Sequence, residues 1–180
     1  MLDILFEILY TCFNYIGEHG PIILIITTIF LLKNRDNLLF YYLIGIFINT
    51  ILNLVLKIII KQPRPNEDSK KFALALKNFK YTFKDGIPFN IFGMPSGHAQ
   101  NVLFSTIFIY LSLHNRKILY LYLVISLLTL CQRVTSKSHT ITQIMVGSFA
   151  GGLVAYFMYQ MVQNKLKGKI RERKDDNGPI

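Results

Sequence analysis

Three short polar clusters interrupt an otherwise apolar chain, and each holds residues that can bind or transfer a phosphoryl group. They lie at 57–65, 95–98 and 133–143. Cationic side chains and the backbone N–H groups at a helix start bind phosphate oxygens well. His98 and His139 are imidazoles that can act as nucleophile and proton donor near neutral pH. The cations and donors of the clusters are Lys57, Lys61, Arg64, Ser96, Gly97, Arg133 and Lys137.

Each cluster also has an ordinary explanation when it is taken alone. A lysine at the end of an apolar helix, such as Lys57, commonly extends its amine to the membrane interface. Ser96 suits the N-cap of a helix, and Pro63 and Pro65 can simply end one. The two histidines can be structural. The presence of all three clusters in one chain is what favours a phosphate site.

The elements that must position these clusters are long apolar helices. The chain has 180 residues, is 52% hydrophobic and has a mean hydropathy of +0.37, which excludes a disordered protein. Segment 38–60 forms about 34 Å of helix, enough to cross a bilayer core of roughly 30 Å. We predict an all-α fold, a polytopic membrane bundle of five to six transmembrane helices. Its five clearest spans are 21–32, 38–60, 99–113, 118–131 and 141–162.

The N-terminal segment leaves two alternatives open. Asp3 and Glu7 lie four residues apart in segment 2–16 and share one helical face. The segment is therefore either a sixth span or an amphipathic helix lying in the membrane interface. Glycines and a proline predict a turn at 17–21, after this segment.

The chain divides into a membrane domain at 1–164, which contains a long loop at 61–97, and a basic polar tail at 165–180. Within the loop, the near-helical spacing of three apolar residues predicts a short surface helix. Small residues one turn apart in the last span predict close helix packing. These residues are Phe72, Leu76 and Phe79 in the loop and Gly147 and Gly151 in the span.

The order of the spans brings the three clusters to the same side of the membrane. Segment 38–60 ends on the side that we call the motif side, and the loop at 61–97 stays there. The next span leaves that side, and the following span returns to it at Arg133. Because the crossings alternate, all three clusters lie on the motif side.

The clusters resemble the motifs of the type 2 phosphatidic acid phosphatase family. Segment 57–65 reads Lys, six residues, Arg-Pro, and segment 95–98 reads Pro-Ser-Gly-His, as the first two motifs require. Segment 133–139 reads Arg, five residues, His, which fits the third. The motifs occur in the family's order, and the resemblance covers roughly 22–162.

The third motif departs from the family pattern at two positions. Gln132 stands where the family has serine, and Gln143 stands where it has the aspartate that orients the histidine. A glutamine carbonyl can accept the imidazole N–H but carries no charge to stabilise a cationic ring. In the serine-protease triad, replacing the aspartate by its amide lowers turnover about 10⁴-fold. We therefore expect a slower enzyme or an inactive relative.

The resemblance implies an integral-membrane enzyme that hydrolyses a lipid phosphate monoester or an isoprenoid pyrophosphate without a metal or other cofactor. His139 would attack phosphorus to form a phosphohistidine, with Gln143 in the orienting position. His98 would protonate the leaving oxygen. The substrate phosphate would be held by Lys57, Arg64, Ser96, Gly97 and Arg133.

Two other functions remain open at this point. The chain can be a catalytically weakened or inactive lipid-phosphate binder, or a channel, transporter or assembly subunit with basic residues along an ion path. For the enzyme and the binder, the expected partners are a phospholipid or isoprenoid (pyro)phosphate and the bilayer, whereas the channel or transporter would bind no phosphate at the histidines. The net charge of +10 accompanies long apolar segments and does not indicate nucleic acid.

The basic residues also bear on the orientation in the membrane. Lysine and arginine divide equally, ten on the motif side and ten on the other. When Lys57, Arg64 and Arg133 are set aside as phosphate ligands, seven remain on the motif side. The positive-inside rule then favours a cytosolic C-terminal tail and an active site on the lumenal or extracytoplasmic face.

Overall fold

The computed structural model describes residues 2–67, 69–77 and 92–175, and helices account for most of them. In this part of the chain one isolated antiparallel β-bridge pairs Pro63 with Phe92. The six helices of the described residues are α1 (Leu2–Leu32), α2 (Asp36–Ile60), α3 (Ser69–Lys77), α4 (Gly97–Leu113), α5 (Arg116–Thr135) and α6 (Ile141–Asp175).

Four of these helices are long and apolar enough to cross a bilayer, namely α1, α2, α5 and the part of α6 that ends at Lys167. The fifth long helix, α4, has 17 residues. It packs against α1, α2, α5 and α6 and therefore lies at the centre of the bundle. The prediction of an all-α polytopic membrane bundle is confirmed, with five long helices in the described residues.

The distribution of side chains is that of a protein surrounded by lipid. Large apolar side chains on the outer faces are strongly exposed, and Phe6, Phe47 and Phe149 are 67–71% exposed. Gln100 and Thr129, in contrast, are completely buried. Lipid tails solvate an apolar surface, whereas polar side chains in the interior hydrogen-bond between helices. The bundle thus has an apolar outer surface and a partly polar interior.

α1 is one continuous helix, which corrects the sequence prediction. The turn predicted at 17–21 is wrong, because the segments on either side of it belong to the same helix. Gly17 and Gly20 instead pack closely against Gln132 and Thr129 of α5, where a Cβ atom would collide. These glycines serve helix packing. Residues 2–16 are therefore neither a separate sixth span nor a separate interfacial helix, because they form the first half of α1.

α4 and α6 pack with their backbones close together because α6 carries glycines one turn apart. Gly147 faces the backbone of Ser96, and Gly151 faces that of Gln100. A Cβ atom at position 147 would lie 2.5 Å from the Ser96 carbonyl oxygen, far inside van der Waals contact. The predicted small-residue packing is confirmed, and it holds the start of α4 against α6.

The two ends of the long loop at 61–97 are joined to each other. The N–H of Gly93 donates to the carbonyl oxygen of Gln62 at 2.7 Å, beside the β-bridge. Phe72 of α3 packs edge-on against Phe92, with 6.0 Å between the ring centroids. Both ends of the loop are therefore fixed at the motif side of the bundle.

Two predicted features continue beyond the described residues. The short loop helix predicted from Phe72, Leu76 and Phe79 is present as α3, although Phe79 lies outside the described residues. The tail predicted at 165–180 begins inside α6, which continues as a helix to Asp175.

Candidate active site

The three polar clusters meet around one cavity at the motif side of the bundle. The cavity has a volume of about 240 Å³. It lies between α2 and α4, with the start of the long loop and the α5–α6 turn closing one end. Its lining residues are Thr50, Asn53, Lys57, Arg64, Gly97, His98, Asn101 and His139.

α2 contributes a polar stripe on its inward face. Asn49, Asn53 and Lys57 recur at every fourth residue, and all three are buried. Because Lys57 is only 2% exposed, its amine does not extend to the membrane interface. Lys61 caps the C-terminus of α2, and its left-handed backbone, with φ of 50°, turns the chain. Arg64 then returns to line the cavity.

The start of α4 brings backbone donors to the cavity. Ser96 is the N-cap, and its Oγ accepts a hydrogen bond from the N–H of Ala99 at 3.5 Å. Gly97 and His98 are the first residues of the helix and line the cavity. The first N–H groups of a helix lack partners within it and carry partial positive charge. Ser96 itself does not line the cavity, so its hydroxyl serves the helix.

The turn between α5 and α6 brings Arg133 and His139 to the same place. Lys137 has a left-handed φ of 53°, and the N–H groups of Ser138 and His139 both donate to the Arg133 carbonyl oxygen at 3.1 Å. The Arg133 side chain is oriented by Gln132, whose Oε1 accepts from Nε at 2.6 Å. Gln132 therefore supplies the acceptor beside the arginine of the third motif.

The His139 ring is fixed by two acceptors. Its Nδ1 lies 2.8 Å from the backbone carbonyl oxygen of Gly93 and 3.2 Å from Oε1 of Gln143. A carbonyl oxygen can only accept, so the proton of the neutral ring resides on Nδ1. Nε2 consequently carries the lone pair, and it makes no hydrogen bond to the residues that the structure describes.

The hydrogen bonds of Gln143 fix which end of its side-chain amide faces His139. Its Nε2 donates to the carbonyl oxygen of Pro63 at 2.9 Å and to Oε1 of Gln62 at 3.0 Å. Its Oε1 accepts from the N–H of Thr140 at 3.2 Å. Since both backbone partners have a fixed role, Oε1 must face His139. The glutamine of the third motif thus contacts the His139 ring and also binds the start of the long loop.

Burial and nearby cations keep the His139 imidazole neutral. Burial is the largest influence, Arg64 and then Lys57 add to it, and the pKa of His139 is lowered to about 4. Burial also lowers the pKa of the Arg64 guanidinium. At neutral pH the cavity therefore combines an uncharged imidazole with cationic neighbours.

His98 has different surroundings. Its Nε2 lies 3.2 Å from the backbone carbonyl oxygen of Glu18 in α1 and 3.5 Å from Nη1 of Arg133. The carbonyl requires an N–H, whereas the guanidinium requires a lone pair. Nε2 cannot donate to the Glu18 carbonyl and accept from Arg133 at the same time. When the proton leaves or reaches Nε2, the ring must therefore exchange one of these two contacts for the other.

Sequence reasoning did not identify every residue around the cavity. The sequence of α2 did contain a signal, because Asn49, Asn53 and Lys57 follow one another at intervals of four residues. Polar residues within a membrane span are costly and are commonly functional. Gly93 and Glu18 act through backbone oxygens, which no side-chain pattern reports. The lining residues that the motifs did not include are Thr50, Asn53 and Asn101.

Comparison with known proteins agrees with the motifs. The sequence model of the PAP2 superfamily matches residues 38–167, more than half of the chain and all of the cavity lining. No curated protein and no solved structure matches the chain significantly. The superfamily is generally phosphatase-related, which supports a phosphoric ester hydrolase in a membrane. The chain belongs to the PAP2 superfamily.

Proposed function

We propose that this chain is an integral-membrane lipid phosphatase that hydrolyses a lipid phosphate monoester or an isoprenoid pyrophosphate through a phosphohistidine at His139. The observation that carries the proposal is the fixed tautomer of this ring. Nδ1–H is committed to the Gly93 carbonyl and to Gln143, which leaves the Nε2 lone pair as a nucleophile. The ring lines the same cavity as Lys57 and Arg64.

The cations would bind the phosphoryl oxygens. In phosphoryl transfer, charge spreads over three equatorial oxygens, so fixed positive groups supply most of the stabilisation. Lys57 and Arg64 line the cavity, and Arg133 approaches it beside His98. The N–H of Gly97 adds a donor at the start of α4, and Ser96 supports it by capping the helix. These charges are in position before the reaction, so the transition state requires little reorganisation.

In the first step, the Nε2 lone pair of His139 forms a bond to phosphorus. The bond between phosphorus and the ester oxygen breaks, and its electron pair stays on that oxygen. The imidazolium form of His98 gives a proton to this oxygen, so that a monoester leaves as the neutral lipid alcohol and a pyrophosphate leaves as the lipid monophosphate. The bound phosphate offsets the charge of Arg133 and favours the cationic ring that this step requires.

In the second step, water hydrolyses the phosphohistidine. His98, now neutral, takes a proton from the attacking water, and the new P–O bond forms as the P–N bond breaks. The electron pair of that bond returns to Nε2 of His139. The products are inorganic phosphate, the free histidine nucleophile and the regenerated imidazolium of His98.

Gln143 would serve in place of a carboxylate because it does not act alone. The backbone carbonyl of Gly93 is the closer acceptor for Nδ1–H, at 2.8 Å against 3.2 Å for the glutamine. The tautomer therefore survives the loss of charge at position 143. Only the electrostatic stabilisation of a cationic His139 is reduced.

The experiment is phosphate release from phosphatidic acid and from an isoprenoid pyrophosphate by the purified chain in detergent, with EDTA present. We expect turnover that EDTA does not abolish. Lys57→Met and Arg64→Gln should each raise KM and lower kcat, because phosphate binding and transition-state stabilisation share these cations. A matched control is Lys33→Met, in the turn between α1 and α2. Turnover that needs an added metal would contradict the mechanism.

The non-catalytic alternative predicts a different result. A lipid-phosphate binder would bind a phosphonate analogue with the wild-type site but release no phosphate from any substrate. Saturable binding that is lost in Arg64→Gln, combined with no turnover above the His139→Ala background, would support the binder and reject the enzyme.

The proposal includes an orientation in the membrane. A site on the lumenal or extracytoplasmic face and a cytosolic tail follow from the distribution of basic residues. An epitope added after Ile180 tests this, because it should be accessible to antibody only after the membrane is permeabilised. Accessibility in intact cells or right-side-out vesicles would reverse the orientation.

A further inference from the structure

The cavity has two chemically different ends. Lys57, Arg64 and His139 surround one end, whereas the described lining at the other end is uncharged. We call the latter the neutral end, formed by Thr50, Asn53 and Asn101. Along α2 it extends seven residues inward from Lys57, about 10 Å of helix. A phosphate group fills only the charged end, so the remaining volume suits another part of the substrate.

Asn53 presents an unsatisfied acceptor beside Gly97, where the neutral end meets the start of α4. The side chain is 3% exposed, and its Nδ2 donates to Oε1 of Gln100 at 2.7 Å and to the carbonyl oxygen of Pro95 at 3.3 Å. The Pro95 carbonyl can only accept, so the amide orientation is fixed. Oδ1 is buried and has no hydrogen-bond partner among the described residues. A buried carbonyl without a donor is costly, which a bound donor would relieve.

Hydrogen bonds connect the side-chain amides of Asn53, Gln100, Asn49 and Asn101, and this network ends in an unused donor. Nε2 of Gln100 donates to both the backbone oxygen and Oδ1 of Asn49 at 2.9 Å. Asn49 must therefore use its Nδ2 as a donor, and it contacts Oδ1 of Asn101 at 2.7 Å. The Nδ2 of Asn101 is left as a donor without a hydrogen bond in the described part of the chain. One acceptor and one donor thus terminate the network in the cavity lining.

We propose that the neutral end binds a hydroxyl or N–H group of the lipid, and that the preferred substrate is a lipid phosphate monoester bearing such a group close to its ester oxygen. This inference rests on the proposed phosphatase function. A hydroxyl donates to Asn53 Oδ1 and accepts from Asn101 Nδ2. One helical turn separates Lys57 from Asn53, about 6 Å, which three or four covalent bonds span.

The order of the groups matches a lipid. The phosphate lies at the end of α2, the uncharged polar group lies further into the bundle, and Thr50 is exposed on the outer surface where an acyl chain would continue. Isoprenoid phosphates carry no hydroxyl, and diacyl phosphatidic acid offers only ester acceptors. Either would leave the Asn53 carbonyl without a donor, so both should bind less well.

The test uses two non-hydrolysable phosphonates with the same acyl chain, one with a hydroxyl on the middle glycerol carbon and one without it. Their dissociation constants are measured on the full chain at a fixed detergent concentration. We expect the hydroxyl compound to bind at least about 10-fold more tightly, because a site built for a hydroxyl rejects the analogue that lacks it. Equal affinities for the two compounds would overturn the inference.

Variants show whether the network causes the preference. Asn53→Leu and Asn101→Leu should each bring the affinity ratio close to one, whereas Ser126→Ala should leave it unchanged. The control removes a comparable buried contact, the 2.9 Å hydrogen bond between Thr106 and Ser126. Because both ligands are measured on the same sample, a misfolded fraction cancels from the ratio. A preference that persists in both asparagine variants would overturn the inference.

Hydrolysis separates this inference from the proposed function. The corresponding lysophosphatidic acid is tested for phosphate release in the same detergent. A hydroxyl preference in binding without any release would support the subsite and contradict the phosphatase. Release with no hydroxyl preference would support the phosphatase and overturn the subsite.

Discussion

The two histidines of the cavity are held in different ways. His139 is buried and donates from Nδ1 to two fixed acceptors, the Gly93 carbonyl and the Gln143 amide. His98 is partly exposed, and its Nε2 lies between a backbone carbonyl and a guanidinium that make opposite demands on it. One ring has a single tautomer, and the other has competing partners. This difference suits a nucleophile and a proton donor respectively.

The largest expected effect is the loss of His139. His139→Ala should lower kcat at least about 10⁴-fold for every substrate, because no other described side chain offers a fixed lone pair in the cavity. Phosphate release in detergent measures this. His114→Asn is the matched control, since His114 ends α4 with a left-handed φ of 50°, which asparagine tolerates. If His139→Ala kept a rate within tenfold of wild type, His139 would not be the nucleophile and the contrast between the two histidines would have no functional meaning.

His98 should show a smaller loss that depends on the leaving group. His98→Ala should slow hydrolysis of an alkyl phosphate by about 10² to 10⁴, the usual contribution of a general acid. An aryl phosphate needs little protonation of its leaving oxygen, so its release of aryl alcohol in the first turnover should slow less than about tenfold, although later turnovers also lack the base for the intermediate. His139→Ala should affect both substrates equally. Equal losses in the first turnover of His98→Ala would mean that His98 is not the proton donor.

Gln143 tests how the nucleophile is oriented. Gln143→Asp restores the carboxylate that the related motif contains but removes the Nε2 donor that holds Gln62 and Pro63. We expect kcat to fall about tenfold, which corresponds to about 1.4 kcal/mol, the size of one lost hydrogen bond. Gln132→Ser is a companion at the other departure from the motif. A rise in kcat for Gln143→Asp would indicate a degenerate site.

The pH dependence should show the smallest effect. Protonation removes the Nε2 lone pair, so activity is lost as pH falls through the pKa of His139, which is lowered to about 4. With an aryl phosphate, which depends little on the His98 proton, we expect kcat/KM at pH 4 to be about half its plateau, after correction for ionisation of the substrate phosphate. An ordinary histidine, with a pKa near 6.5, would lose about 300-fold at that pH. A decline centred near pH 6.5 would contradict the buried, neutral nucleophile.

Much of the site could be predicted because motif spacing and helix periodicity are properties of the sequence. The alternation of spans was sufficient to expect Arg64, His98 and His139 at the same end of the bundle, and all three line the cavity. The apolar segments likewise identified the membrane bundle. Local sequence decides these features, since a helix of given length and hydrophobicity crosses a membrane regardless of its partners.

Other features depend on partners that are distant in sequence. Gly17 and Gly20 predict a turn as readily as close packing, and only contact with α5 decides between them. The role of Asn53 depends on Gln100, 47 residues away, which fixes the orientation of its amide. The acceptor for His139 includes a backbone oxygen of Gly93, which side-chain identity does not reveal. Such contacts follow from tertiary packing.

The most direct measurement is a rapid-quench experiment with a substrate that carries radioactive phosphorus. Acid-labile label should appear on the wild-type chain within one turnover, and peptide mapping should locate it at His139. The label should accumulate in a His98 variant with an aryl phosphate, because hydrolysis of the intermediate then lacks its base. Label at His98, or phosphate release at the wild-type rate with no labelled chain at any time, would contradict the central claim that His139 is the nucleophile.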